Sequence, residues 1–447
     1  MRLVTLLAVV SAVLLGCPGG GSPDGGDPDS GAGDAGQVDA GLLPITHNAV
    51  GYAVTVQGGK AVAVGTGGAR DDVRVPDQFL ARVNADGTLD PAFGGRGFVH
   101  YDFDGGTMSL ASFTEDGALA VMADGDKLVT AGYARGIVTV PAGAVTIAPF
   151  NADGSLDTTF NTRGYALCDF NPMSHVDNAG AAYAVAKRSD GKYVFAGGLD
   201  NGVSRGRDIF AYRINADGSV DNTFSIGTPL HFGGSETATD IVLQGNLTVL
   251  GGGEDFTLCR LTDTGMLDVT FGTAGSVKST GGTMYKLLAR GDGRLLGVGL
   301  RSVDVGLTSE RLVLKLFQTS ADGVPDATFG TLGVVELDAM RMGVDPAGDL
   351  RGAALAADGS LLLLTINLSG SRVYKLRPDG SLDTTWGTGG AKPSGLQVSI
   401  LSLLLAQPRG ANALAIDGSD IWITGSTLID LSPGNTVARF AITRIGL

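Results

Sequence analysis

One short phrase recurs along this chain: a turn, then an Asp three residues ahead of an aromatic ring. The copies pair Asp90 with Phe93, Asp157 with Phe160, Asp221 with Phe224, Asp268 with Phe271, Asp326 with Phe329 and Asp383 with Trp386. Successive Asp residues lie 67, 64, 47, 58 and 57 positions apart, a mean of about 59. A period of this size means one supersecondary unit copied into an array. The fold must therefore be one that repeated units can build together.

The third copy shows what one unit contains. Residues 181–186 alternate small and larger side chains, Ser189-Asp190-Gly191-Lys192 is a turn, and 193–198 is a second apolar run. Asp-Gly between apolar runs signals a tight hairpin, because primed turns need positive φ. Residues 209–214 form a third strand, a second turn follows at 215–218, and 229–232 supply a fourth apolar segment. Four short strands with no 3.6-residue periodicity predict one antiparallel sheet per repeat. The hairpin half recurs over 52–65, 119–132, 182–197, 238–251, 285–299, 353–365 and 413–425. That count predicts an all-β, seven-bladed β-propeller. The last hairpin is followed by only one more strand, at 437–445, while 42–46 is an unpartnered apolar segment before the first. The expectation is that this N-terminal strand pairs with the C-terminal blade and closes the ring, leaving only short protected edges.

The phrase Asp153-Gly154-Ser155-Leu156-Asp157-Thr158-Thr159-Phe160 and its five relatives resemble the bacterial delta-60 repeat, a unit of roughly 60 residues whose implied fold is a β-propeller. The resemblance covers 42–447. Departures are Thr264 for the turn Asp, Pro325 for Leu, Trp386 for Phe, and Asn161 for the Gly after Phe. The resemblance implies an exported or surface-located repeat protein and no established catalytic residue.

Residues 1–17 read as a targeting segment. Arg2 precedes an apolar run of 13 residues, 3–15, shorter than the roughly 20 needed to span a bilayer. The run ends Leu14-Leu15-Gly16-Cys17, which resembles the bacterial lipoprotein signal, with Leu15 departing from the usual small residue. The resemblance implies acylation (palmitate among the acyl groups) at Cys17, and Pro18 after it favours the outer membrane. Residues 18–41 are Gly, Pro, Asp, Ser and Ala with almost no bulky apolar side chain, a composition that stays a flexible tether. Asp24, Asp27, Asp29, Asp34 and Asp39 lack the hydrophobic frame that fixes a calcium loop. Membrane association is thus expected through lipid alone.

The net charge of −14 disfavours nucleic acid, whose phosphates need clustered Lys and Arg. With Cys17 lipidated, Cys168 and Cys259 remain, in different repeats. Two buried thiols is the simpler reading, with a bridge left open.

A residue copied in every repeat invites a functional reading, such as a ring of calcium sites. The structural reading is stronger, because Asp in turns bonds to backbone N–H groups two or three residues on. The aromatics then read as plugs between blades. A cation recurs eight residues before the Asp in four copies, at Arg82, Arg213, Arg260 and Lys375, and is expected to reach its carboxylate. His47, His100, His175 and His231 show no metal-ligand spacing and no zinc-spaced Cys, so no metal site, cofactor or catalytic residue is assigned. Asp124-Gly125-Asp126 and Gly251-Gly252-Gly253 read as hairpin turns, the latter lacking the helix a phosphate loop requires. The expected function is a lipid-anchored scaffold at the cell envelope that binds a protein or glycan. Its working surface is expected at the channel mouth and the loops 67–77, 302–310 and 338–350. The alternatives are a glycan hydrolase or lyase using channel carboxylates, and calcium-dependent adhesion.

Overall fold

The computed structural model describes residues 49–67, 77–103, 115–135, 144–168, 180–200, 206–224, 229–304, 310–338, 349–367, 370–396, 411–432 and 435–447. The Cys17 signal, the tether, the 42–46 strand, His47, His175 and most of the three long loops lie outside them.

The described residues are all-β, with one 3-10 turn at Phe160–Thr162 and no α-helix. Strands run as antiparallel meanders, hydrogen-bonded in chain order. The first comprises β1 (Val50–Gln57), β2 (Lys60–Gly67), β3 (Asp77–Val83) and β4 (Phe98–Tyr101). The second comprises β5 (Glu115–Asp124), β6 (Lys127–Arg135), β7 (Ala144–Phe150) and β8 (Ala166–Cys168). Then come β9 (Ala181–Lys187), β10 (Tyr193–Asp200) and β11 (Arg207–Ile214). The next is β12 (Asp240–Gln244), β13 (Leu247–Glu254), β14 (Thr257–Leu261) and β15 (Ser276–Val277). It is followed by β16 (Thr283–Ala289), β17 (Leu295–Asp304), β18 (Glu310–Thr319) and β19 (Val334–Asp338). After these lie β20 (Asp349–Leu355), β21 (Leu361–Asn367), β22 (Gly370–Leu376) and β23 (Ala391–Pro393). The last is β24 (Ala411–Asp417), β25 (Asp420–Ser432) and β26 (Asn435–Gly446).

The expected fourth strand at 229–232 is reduced to an isolated bridge between Ile209 and Leu230. One pairing also crosses between repeats: Gly253 and Glu254 of β13 bond to Met284 and Thr283 of β16, so these two meanders share one eight-stranded sheet.

The first strands of the meanders touch one another in sequence, β1 to β5, β9, β12, β16, β20 and β24, and β24 touches β1. The apolar core sits between successive sheets rather than within one. Phe93 packs with Leu128 and Phe150 of the next meander, and Trp422 and Phe440 pack with Ala63 and Phe79 of the first. This arrangement is a β-propeller. Each fully buried Phe stabilises it by about 1.5–3 kcal/mol. Cys168 and Cys259 are free and buried in separate clusters, where burial pushes both thiols up to about 12.

Most inner strands carry a bulge, and the bulge explains the glycine that closes most hairpins. Gly51 pairs with Gly65 and Ala53 with Val64, so Tyr52 is left over, the extra residue of a β-bulge. Leu119, Tyr183, Tyr285, Arg351 and Asn412 are left over in the same way in β5, β9, β16, β20 and β24. The bulge presses the neighbouring backbone against the residue opposite. A Cβ on Gly65 would lie 1.8 Å from the Val50 carbonyl oxygen, and one on Gly132 1.8 Å from that of Gly117. Gly251-Gly252-Gly253 is not a turn, correcting the expectation from sequence, although β12 pairs with β13 without a bulge. The three residues lie inside β13, and a Cβ on Gly252 would meet the Thr237 carbonyl oxygen at 2.0 Å.

Candidate functional site

Two polar regions stand out, the repeated Asp motif and the central cavity. In the motif, Asp90 uses both carboxylate oxygens. Oδ1 accepts the Ala92 N–H at 3.1 Å, while Oδ2 accepts from Arg82 Nε at 2.7 Å and Lys60 Nζ at 2.8 Å. The Arg82 guanidinium then lies 4.7 Å from the centre of the Phe93 ring and donates to the Ala152 carbonyl in the next repeat. Arg213 repeats the arrangement. It bonds Asp221 at 2.6 Å, lies over Phe224 at 4.8 Å, and reaches the Asp263 carbonyl at 2.7 Å. Arg260 does the same with Asp268 at 2.8 Å, Phe271 at 5.0 Å and Asp322 at 2.9 Å. The side chains of Arg213 and Asp221 are only 3% and 4% exposed.

The fourth expected pair does not form. Lys375 Nζ turns to Asp358 at 3.3 Å, and Asp383 is met instead by Arg377 Nη2 at 3.1 Å. The stem of Lys375 carries one terminal charge, and Asp358 in the adjoining turn captures it. Asp157 has Pro149 at the equivalent place and pairs with Lys127, while Asp326 accepts from Gln318 at 2.8 Å and Arg294 at 2.9 Å. Phe160, Phe224, Phe271 and Phe329 are buried, and Trp386 is half-buried beneath Lys392.

Reasoning from sequence missed a second cation, at the start of the second strand. Lys60, Lys127, Lys192 and Arg294 each reach an Asp of the motif about 30 residues on. Their shared place just after the hairpin turn was the available signal. Burial opposes ionisation of Asp221, but bonds from Lys192, Thr223 and Arg213 outweigh it and hold its carboxyl far below the usual range. For Asp326, Thr328, Arg294 and Gln318 do the same.

The position after the aromatic needs a left-handed backbone. Gly94 has φ 61°, Gly272 55°, and Asn161, the departure in the second copy, 48°. Asn is the residue other than Gly that adopts this region most readily. From there the backbone reaches the next repeat, Gly94 N–H to Asp153 carbonyl at 2.7 Å and Asn161 N–H to Asp217 carbonyl at 2.6 Å.

The cavity is about 220 Å³ and is lined from β1, β5, β9, β12, β16, β20 and β24. Five of the bulged residues reach it: Tyr52, Leu119, Tyr183, Arg351 and Asn412. A bulge re-aims a side chain, and here repetition aims a ring of them inward. Asp240 and Lys286 complete the polar lining, with Lys286 Nζ 3.5 Å from Asp240 Oδ1 and the Leu287 N–H donating to Oδ2 at 3.0 Å. Burial raises the Asp240 carboxyl above its ordinary range, with Lys286 opposing it, although 23% of the side chain remains exposed. Asp349, beside Arg351 at 3.2 Å, is raised by burial as well. Asn412 Nδ2 donates to the Gly51 carbonyl at 2.9 Å, joining β24 to β1, but its Oδ1 has no partner, nor has Arg351 Nε.

Of the four histidines, His100 is exposed on β4 and His231 lies with Asp208 and Glu236 beside β11. Spacing alone hid that second grouping, because its acids come from two separate segments.

None of the curated proteins matches the sequence. Among solved structures, the chain is similar to the polysaccharide lyase Uly1, with 11% identity, 91% of each chain covered and a TM-score of 0.43. It is similar to the Penicillium chrysogenum α-L-arabinanase complexed with arabinobiose, with 9% identity, 93% and 99% covered and a TM-score of 0.44. It is also similar to the β-propeller domain of the Trilobed protease from Pyrococcus furiosus, with 10% identity, 89% and 97% covered and a TM-score of 0.40. Likeness this distant says nothing about chemistry. Residues 59–93 and 188–224 match the family model described as a domain of unknown function (DUF5122) beta-propeller.

Proposed function

We propose that the protein is an exported, lipid-anchored glycan-binding module of the cell envelope, attached through Cys17 and held off the outer membrane by the 18–41 tether. The propeller has seven blades in this reading, closed where β24 meets β1 and completed by pairing of 42–46 with the last blade. The contact of Ala49 with the Phe440 and Ile442 cluster supports that closure.

The cavity lining carries the binding assignment. Asp240, Lys286, Arg351 and Asn412 offer acceptors and donors, Tyr52 and Tyr183 offer ring surface, and two buried polar atoms there have no protein partner. Unpartnered buried polar atoms are costly unless water or a ligand meets them. Sugar hydroxyls suit such a set, and about 220 Å³ admits one sugar unit rather than a chain. Glycan-array screening of the intact protein, followed by calorimetry, tests this. Binding should be lost in Asp240→Asn and Asn412→Ala. Absence of glycan binding, with protein partners recovered by crosslinking in intact cells, would replace it with a protein scaffold.

One observation favours a second reading, a glycan hydrolase or lyase. Burial raises two inner-strand carboxyls, Asp240 and Asp349, toward the protonated form a general acid needs. New reducing or unsaturated chain ends after incubation with an envelope polysaccharide would establish it. Calcium adhesion at the repeated Asp residues is the least supported, because Lys and Arg already occupy those carboxylates.

A further inference from the structure

Away from the cavity, β11 and the segment leading to β12 bring three metal-ligating side chains together. The bridge between Ile209 and Leu230 fixes them: Ile209 N–H donates to the Leu230 carbonyl at 3.0 Å and Leu230 N–H returns a bond at 2.8 Å. This antiparallel register sets Asp208 beside His231. His231 Nδ1 lies 2.8 Å from Asp208 Oδ1 and 3.6 Å from Glu236 Oε2. One donor atom from each residue falls within 4.8 Å of the other two.

Glu236 supplies an independent sign that something is bound. The residue is fully buried, and its Oε1 accepts the Gly234 N–H at 2.7 Å. Its Oε2, the oxygen facing His231, is buried without a hydrogen-bond partner. Lys278 does not fill the gap, since its Nζ stands 3.9 Å from Oε1 and donates to the Phe232 carbonyl at 2.5 Å. Two carboxylates buried together need positive charge close by.

We propose that Asp208, His231 and Glu236 hold a divalent transition-metal ion, with zinc the fitting one. One imidazole nitrogen and two carboxylate oxygens leave an open position, as three-ligand zinc sites do. Calcium is a poorer fit because it takes six to eight oxygens. His231 is 41% exposed at its side chain, which gives the ion a route in from solvent. The metal fastens the 229–236 segment to β11, where only one bridge marks the fourth strand.

The test uses the full chain, stripped with a chelator and titrated with Zn²⁺ by calorimetry and by competition with a colorimetric chelator. Thermal melting is followed in parallel, and Co²⁺ is added for its visible spectrum. The expected result is one equivalent bound, a melting point raised by several degrees and a Co²⁺ d–d band, all lost in His231→Gln and Glu236→Gln. His231 is exposed enough that His231→Gln tests binding even if Glu236→Gln does not fold. Uptake that is absent, or unchanged in His231→Gln, overturns the proposal.

Discussion

The three Arg-bearing copies of the motif and the cavity are both polar, yet they treat their polar atoms in opposite ways. Around the motif, Asp90, Asp221 and Asp268 have both oxygens engaged, and each Arg spans its own Asp, its own Phe and the following repeat. In the cavity, Asn412 Oδ1 and Arg351 Nε are buried and unmatched, and Asp240 is held toward neutrality. Satisfied groups of the first kind fix one geometry, whereas groups of the second kind are left for something that arrives.

The largest effect should come from the motif. Arg213→Ala leaves the buried Asp221 with Lys192 as its remaining cation and removes the ring contact with Phe224. Breaking a buried pair outright costs about 3–5 kcal/mol, and Lys192 offsets part of that, so denaturant unfolding should show a loss of about 2–4 kcal/mol. Asp240→Asn, nearly the same shape, should cost less than about 1 kcal/mol while removing ligand binding. Similar stability losses at the two sites would break the comparison.

Acid should separate the regions by sign. The motif carboxyls Asp90, Asp157, Asp221, Asp268 and Asp326 are depressed in the folded state. Their contribution is complete above the unfolded value of about 3.9 and is lost as pH falls through the folded values. Asp240 and Asp349 are raised, so they gain protons first on folding. Their contribution grows as pH falls through their folded values toward about 3.9. A stability profile should therefore rise slightly on mild acidification before collapsing, and Asp240→Asn should flatten only the rise. A wild-type profile that falls monotonically from neutrality would remove the distinction.

Legibility in the sequence followed the same division. The motif repeats, so its Asp, aromatic and Arg residues announce themselves by spacing, and the hairpins follow from Asp-Gly turns. Lys375 shows the limit, since a competing acid in the adjoining turn redirects it. The cavity was hidden because its residues vary from repeat to repeat: Tyr52, Leu119, Tyr183, Arg351 and Asn412 share a position, but only Tyr recurs there. The glycines opposite the bulges did repeat, at Gly65, Gly132, Gly197, Gly299 and Gly425. They marked the inward-aimed position, but a glycine reads as an ordinary strand end until a bulge is known.

A smaller effect is expected at Lys192, which joins Asp221 from a more exposed place. Its side chain is 28% exposed, against 3% for Arg213. Lys192→Met should cost about 1 kcal/mol or less, because water replaces much of what the ammonium gave. Measured with Arg213→Ala in a double-mutant cycle, it divides the charge around Asp221 between its two cations. Equal costs for the two substitutions would mean that burial does not rank them.

The smallest effect belongs to Asn161→Gly, which probes whether every polar group in the motif matters or only the buried pairs. Asn161 Nδ2 bonds the Tyr165 carbonyl at 3.1 Å in an exposed place, where water can substitute. Glycine removes the left-handed strain at φ 48° and keeps the N–H that reaches Asp217. Against that gain stands the greater freedom of a glycine in the unfolded chain, about 0.4–1 kcal/mol. The terms oppose each other, so unfolding should move by no more than about 0.5 kcal/mol either way. Asn161→Val, which keeps a side chain and loses the tolerance for positive φ, should cost about 1–2 kcal/mol. If Asn161→Gly were as damaging as Asn161→Val, the exposed side-chain bond rather than the backbone shape would be holding adjacent repeats together.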